Sequence, residues 1–124
     1  MCRDVILAAI HGDESETTVV VSEVMWCQPA EDQQVAVILC CNPDGLLRGT
    51  RGNARGIDLN RNFPTSKWKP EAAFYKSRAN DARNIALSSG AESSSEPETK
   101  ALLALINELR PRAVVSLYSA LASR

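Results

Sequence analysis

The 124-residue chain has one histidine, His11, and its 14 basic and 15 acidic side chains leave a formal charge of only -1. A balance this close, with a pI of about 5.8, offers no broad field to nucleic acid or to an anionic membrane surface. No apolar run approaches the roughly 20 residues of a membrane span. The four cysteines (Cys2, Cys27, Cys40, Cys41) show no CxxC spacing and no paired framework, and no charged-then-apolar leader opens the chain. These absences predict a reducing, cytoplasmic compartment rather than export. No internal repeat is visible. What remains, at 44% hydrophobic content, suits one compact domain spanning 1–124.

Residues 5–10 are continuously apolar and read as a fully buried strand. Residues 15–27 read as a helix with Val19, Val20, Val24 and Cys27 turned inward, although its β-branched residues lower its intrinsic propensity. Residues 34–41, QVAVILCC, read as a second buried strand, which makes a βαβ unit with a parallel sheet. Residues 68–75 read as irregular or briefly helical, 79–87 as a short helix, and 88–95 as a Ser/Gly-rich linker. The strongest helix signal follows, with Ser95 as N-cap, Pro97 in the first turn, Glu98 at the capping-box position, and Leu102, Leu103, Ile106 and Leu109 on one face. Glu96 and Glu98 read as cap and dipole partners. Residues 113–118, AVVSLY, read as a third buried strand. Three parallel strands with apolar edges predict self-association.

Two segments carry the chemistry. Residues 42–64, NPDGLLRGTRGNARGIDLNRNFP, hold Arg48, Arg51, Arg55 and Arg61 among glycines, asparagines and aspartates. A polar segment this long is costly to order unless it builds a site, and guanidinium forks match carboxylates. Taken alone it also reads as a solvated loop in which NPDG is a turn signal. The first strand ends at His11-Gly12-Asp13-Glu14, where a ring nitrogen and a carboxylate three positions apart can meet on one metal, with Gly12 allowing the bend. HxxE by itself is a weak signal, and a lone histidine is more often structural or solvated than a ligand. Both segments leave the carboxyl ends of neighbouring parallel strands, where open α/β sheets bind ligands.

HGDE, NPDG, GIDLNRNFP and SEPET, in this order and spacing, resemble the zinc carboxypeptidase family of funnelin-type metallocarboxypeptidases, and within it most resemble the murein peptide amidases. The likeness runs over residues 5–122 and implies an α/β, partial zinc-carboxypeptidase-like fold with a largely parallel sheet flanked by helices. It implies a zinc ion held by His11 and Glu14, with Arg51 steadying the oxyanion and Asn60 and Arg61 holding the free carboxylate of a peptide or acyl-amino-acid substrate. Asp58 and Asn62 brace the loop, while Phe63 and Trp68 serve packing. The implied activity is hydrolysis of an amide bond next to a free carboxylate, as in a murein peptide.

The resemblance has two departures. Tyr118 stands where the family has its second zinc histidine, and a phenol, with an ordinary pKa of about 10, gives up its proton reluctantly at neutral pH. Tyr118 is therefore expected to be a weak or absent ligand. The family also draws its general-base glutamate and a substrate-contacting tyrosine from a further stretch about as long as this chain, which predicts either a fragment or a truncated relative without turnover. Two other readings stay open: a deacylase of the aspartoacylase and succinylglutamate desuccinylase branch, which GIDLNRNFP and SEPET disfavour, and a non-catalytic carboxylate-binding relative.

Overall fold

The computed structural model describes residues 2–29, 34–70, 73–76 and 84–119. Its centre is strand β1 (Asp4–Leu7), the strand read from the apolar run that opens the chain. Helix α1 (Ser15–Trp26) connects it to strand β2 (Val35–Ile38). A six-residue helix α2 (Pro43–Arg48) and a 3₁₀ turn (Leu59–Arg61) lie in the arginine-rich segment. Strands β3 (Ala73–Lys76) and β4 (Asn84–Leu87), helix α3 (Pro97–Leu109) and strand β5 (Ala113–Ser116) complete the order.

Strands β2, β1 and β5 form a parallel sheet with β1 in the middle. Val5 lies opposite Ala36 on one side and Val114 on the other. The expected βαβ unit is present, and both site segments leave the carboxyl ends of β1 and β2. Val5, Leu7, Ile10, Cys41, Leu59 and Leu102 form the core, with Ile38, Phe63 and Leu109 packed against them. Burial of aliphatic side chains of this size contributes about 1.5–3 kcal/mol each. This cluster joins α3 and the 3₁₀ turn to the sheet.

Several local expectations change. Within this three-stranded sheet β1 is the buried central strand, whereas β2 and β5 flank it among the described residues and Val35, Val114 and Val115 are exposed. In α1 the inward residues are Thr17 and Val21, whereas Val19, Val20 and Val24 face out. The phase is set by Thr17, whose hydroxyl accepts the Ala9 N–H (3.0 Å) and donates to the Glu14 carbonyl (2.8 Å). Those two bonds outweigh the placement of three valines. The segment 84–87 is not helical but pairs antiparallel with β3, Ala73 opposite Leu87; residues 79–83 lie outside the described set. A four-residue apolar run carries too little periodicity to separate helix from strand.

Two helix starts also differ. NPDG opens α2 instead of making an isolated turn, because Asn42 caps it by accepting the Gly45 N–H at 3.0 Å. The cap residue of α3 is Glu96, one position after the expected Ser95, and it makes no side-chain cap bond. Pro97 sits in the first turn as expected. Leu102 is buried, and Leu103, Ile106 and Leu109 are half-buried on its inner face.

Candidate metal and carboxylate site

Beyond β1 the chain is turned by Ala9, which adopts a left-handed conformation (φ 50°). This strained residue leads directly into buried His11. The Glu14 N–H donates to the His11 carbonyl at 3.2 Å, closing a turn that puts both side chains on one side. Gly12 is required by proximity rather than by a bend. A Cβ there would lie 2.0 Å from the carbonyl carbon of Gly45, so the HGDE turn can rest directly on α2. Asn42 ties the same contact together by donating to the Ile10 carbonyl (3.2 Å) and the Arg51 carbonyl (3.4 Å).

The imidazole of His11 lies between two carboxylates. Nδ1 is 3.1 Å from Glu14 Oε1, and Nε2 is 3.1 Å from Asp58 Oδ1. All three groups are buried. Arg51 spans the two acids, 3.5 Å from Glu14 Oε1 and 3.6 Å from Asp58 Oδ2. Burial pushes the Asp58 carboxyl up, but the His11 hydrogen bond and the charges of His11 and Arg51 outweigh it and hold the group below its ordinary value. Asp13 goes the other way: burial raises it, with Arg51 opposing in part.

Asn60 and Arg61 follow on the 3₁₀ turn that Asp58 caps by accepting the Asn60 N–H at 3.0 Å. They line a cavity of ≈ 480 Å³ together with Phe63, Lys67, Trp68 and Lys69. Arg61 is exposed, with no ion-pair partner among the described residues. Tyr118 reaches the same place from the end of β5. Its ring centroid is 5.4 Å from that of His11, tilted by 47°, and its hydroxyl donates to Asn60 Oδ1 at 2.9 Å. The next residue, Ser119, donates its N–H to Glu14 Oε2 at 3.1 Å.

The rest of the loop is anchored on α3. Buried Glu96 accepts from Asn53 Nδ2 (2.7 Å), Arg55 Nε (3.0 Å) and Ser95 Oγ (2.8 Å). Asn53 in turn takes the N–H groups of Arg55 and Ile57, each at 3.0 Å. Asn62 donates to the carbonyls of Ser89 (2.8 Å) and Glu92 (3.2 Å) and accepts the Glu96 N–H at 3.2 Å. Glu96 is thus an anchor of the arginine-rich loop, a role its position beside Pro97 did not reveal. An acid flanked in sequence by cap residues has its distant partners hidden until the fold brings Asn53 and Arg55 to it.

His11, Glu14, Arg51, Asp58, Asn60 and Tyr118 are therefore linked at one end of the sheet, while Arg61 lines the cavity on the far side of Asn60. Two ligands on a tetrahedral zinc are roughly 3.3 Å apart, close to the separation of His11 Nδ1 and Glu14 Oε1. A neutral ring that keeps its Nε2–H on Asp58 would leave Nδ1 free for an ion beside the Glu14 carboxylate, the arrangement in which an outer carboxylate orients a ligating histidine. These two residues can hold a divalent ion. Among the described residues no group of three His, Cys, Asp or Glu side chains gathers as a metal cluster, and the Tyr118 hydroxyl is engaged by Asn60.

The chain is similar to several known proteins. It is 42% identical over 118 residues to murein peptide amidase A of Escherichia coli K12, covering 94% of this chain and 49% of that protein. To murein peptide amidase A of Vibrio campbellii it is 40% identical over 121 residues, covering 97% and 49%. It superposes on the crystal structure of murein-tripeptide amidase MpaA from Escherichia coli O157 with a TM-score of 0.88 at 39% identity, covering 98% of this chain and 52% of that one. A putative metallopeptidase from Shewanella amazonensis shares the fold at a TM-score of 0.55 and 20% identity, with 94% and 40% covered. The chain spans about half the length of the curated relatives it matches. The model of the zinc carboxypeptidase family matches residues 5–123, and the chain belongs to that family.

Proposed function

We propose that this chain carries the metal-binding and carboxylate-binding portion of a zinc-dependent metallocarboxypeptidase or amidase, a hydrolase that cleaves an amide bond next to a free carboxylate, with murein peptides as the substrate class. The observation that carries this reading is the buried His11 ring held at both nitrogens, by Glu14 and by Asp58. His11 and Glu14 are the metal ligands, and Asp58 fixes the tautomer. Zinc bound there supplies Lewis acidity at the scissile carbonyl. Arg51 stabilises negative charge developing on the carbonyl oxygen. Asn60 and Arg61 hold the substrate's free carboxylate and so fix which bond is presented.

Further features belong to the same proposal. The four cysteines are free thiols, which suits a cytoplasmic compartment, and among the described residues no helix is long and apolar enough to cross a membrane. The exposed valines of β2 and β5 support association through the strand edges. The substrate class is tested by calorimetry with a murein tripeptide and with the same tripeptide amidated at its terminal carboxyls. The proposal expects binding of the first only; equal binding of both contradicts a grip on the free carboxylate.

A further inference from the structure

We infer that Tyr118 is a positioning residue for Asn60, locking its side-chain amide in the one orientation that can grip a carboxylate, and is not a metal ligand. The inference rests on the reading of Asn60 as a carboxylate-binding residue. A primary amide has an acceptor on one side and two donors on the other. Only the NH₂ face can bind a carboxylate oxygen; the carbonyl face repels it. In an unrestrained asparagine the two faces exchange by rotation.

Tyr118 removes that freedom. Its hydroxyl donates to Asn60 Oδ1 at 2.9 Å, and a phenol proton selects the carbonyl face, so the NH₂ group is turned away from Tyr118. Among the described residues no bond to Asn60 Nδ2 competes for those protons. The main chain of Asn60 is fixed as well, since its N–H donates to Asp58 Oδ1, the same oxygen that His11 Nε2 approaches. The ring of Tyr118 rests against that of His11, and Ser119 donates to Glu14. The end of β5 is therefore stitched to the metal turn by residue 119 and to the carboxylate loop by residue 118. A ligating phenol would have to lose the proton that makes the Asn60 bond, so the two roles exclude each other.

The test compares wild type, Tyr118→Phe and Asn60→Ala, titrated with N-acetylalanine as a monocarboxylate probe, with zinc stoichiometry measured in parallel. Loss of one neutral hydrogen bond, on the order of three- to tenfold in affinity, is expected for Tyr118→Phe, with the Asn60 side-chain NH₂ resonances shifted and zinc stoichiometry unchanged. In wild type, adding zinc is expected to produce no phenolate ultraviolet difference band, a reading that needs no variant to fold. Undiminished probe affinity in Tyr118→Phe while Asn60→Ala loses it overturns the inference, and so does a zinc-induced phenolate band. If wild type fails to bind N-acetylalanine, or Asn60→Ala binds it as well as wild type, the carboxylate reading falls and the role of Tyr118 falls with it.

Discussion

Nε2 of His11 lies 3.1 Å from Oδ1 of Asp58, joining the end of the central strand to a loop 47 residues later. The bond fixes which ring nitrogen faces Glu14, and removing the carboxylate frees the ring to rotate. Asp58→Ala is expected to reduce zinc affinity about 10–100-fold, the usual effect of losing an outer-shell carboxylate. A competitive zinc titration measures it, and an unchanged constant removes Asp58 from the metal's surroundings.

Arg61 lines the cavity beside Asn60 and is free of internal ion pairs among the described residues, so its guanidinium is available to a ligand. Arg61→Ala is expected to weaken binding of small carboxylates by about 1.5–3 kcal/mol, the scale of a charge-assisted bond. Calorimetry with the same carboxylate on both proteins decides it.

Tyr118→His places an imidazole at the position whose present ring lies 5.4 Å, centroid to centroid, from that of His11. A neutral imidazole ligates without losing a proton, so zinc affinity is expected to rise by about an order of magnitude or more. An identical zinc isotherm for variant and wild type contradicts the assignment of His11 and Glu14 as the other two ligands.

Glu96 gives the pH dependence. Burial raises its carboxyl, but hydrogen bonds from Asn53 and Ser95 and the Arg55 contact outweigh burial, so the folded value lies below the ordinary 4.5. A depressed carboxylate stabilises the fold above its unfolded pKa, and that contribution is lost as pH falls through the folded value. Wild type is therefore expected to lose stability as pH drops below about 4.5, with a shallower acid limb in Glu96→Gln. Thermal melts across the acid range measure both slopes; parallel slopes contradict the anchoring role of Glu96.

The parts of this architecture legible in the sequence were those with short-range signatures. The apolar run of β1, the Pro97 helix start and the HGDE and GIDLNRNFP motifs each carry their meaning within a few residues. What was not legible depends on partners far along the chain. Val19, Val20 and Val24 face out because Thr17 is anchored to Ala9, and a hydroxyl's choice of a distant N–H leaves no periodic trace. β4 is a strand because β3 is beside it. Glu96 binds Asn53 and Arg55 across more than 40 positions, and Gly12 is a glycine because Gly45 lies against it.

Every role given to the loop residues depends on His11 and Glu14 holding a metal at the end of the sheet. Zinc content per chain, measured by elemental analysis after equilibration with zinc and removal of excess, tests it most directly in wild type, His11→Ala and Glu14→Gln. About one zinc per wild-type chain is expected, with its loss in both variants. A wild-type chain that retains no zinc, or variants that retain as much as wild type, would contradict it.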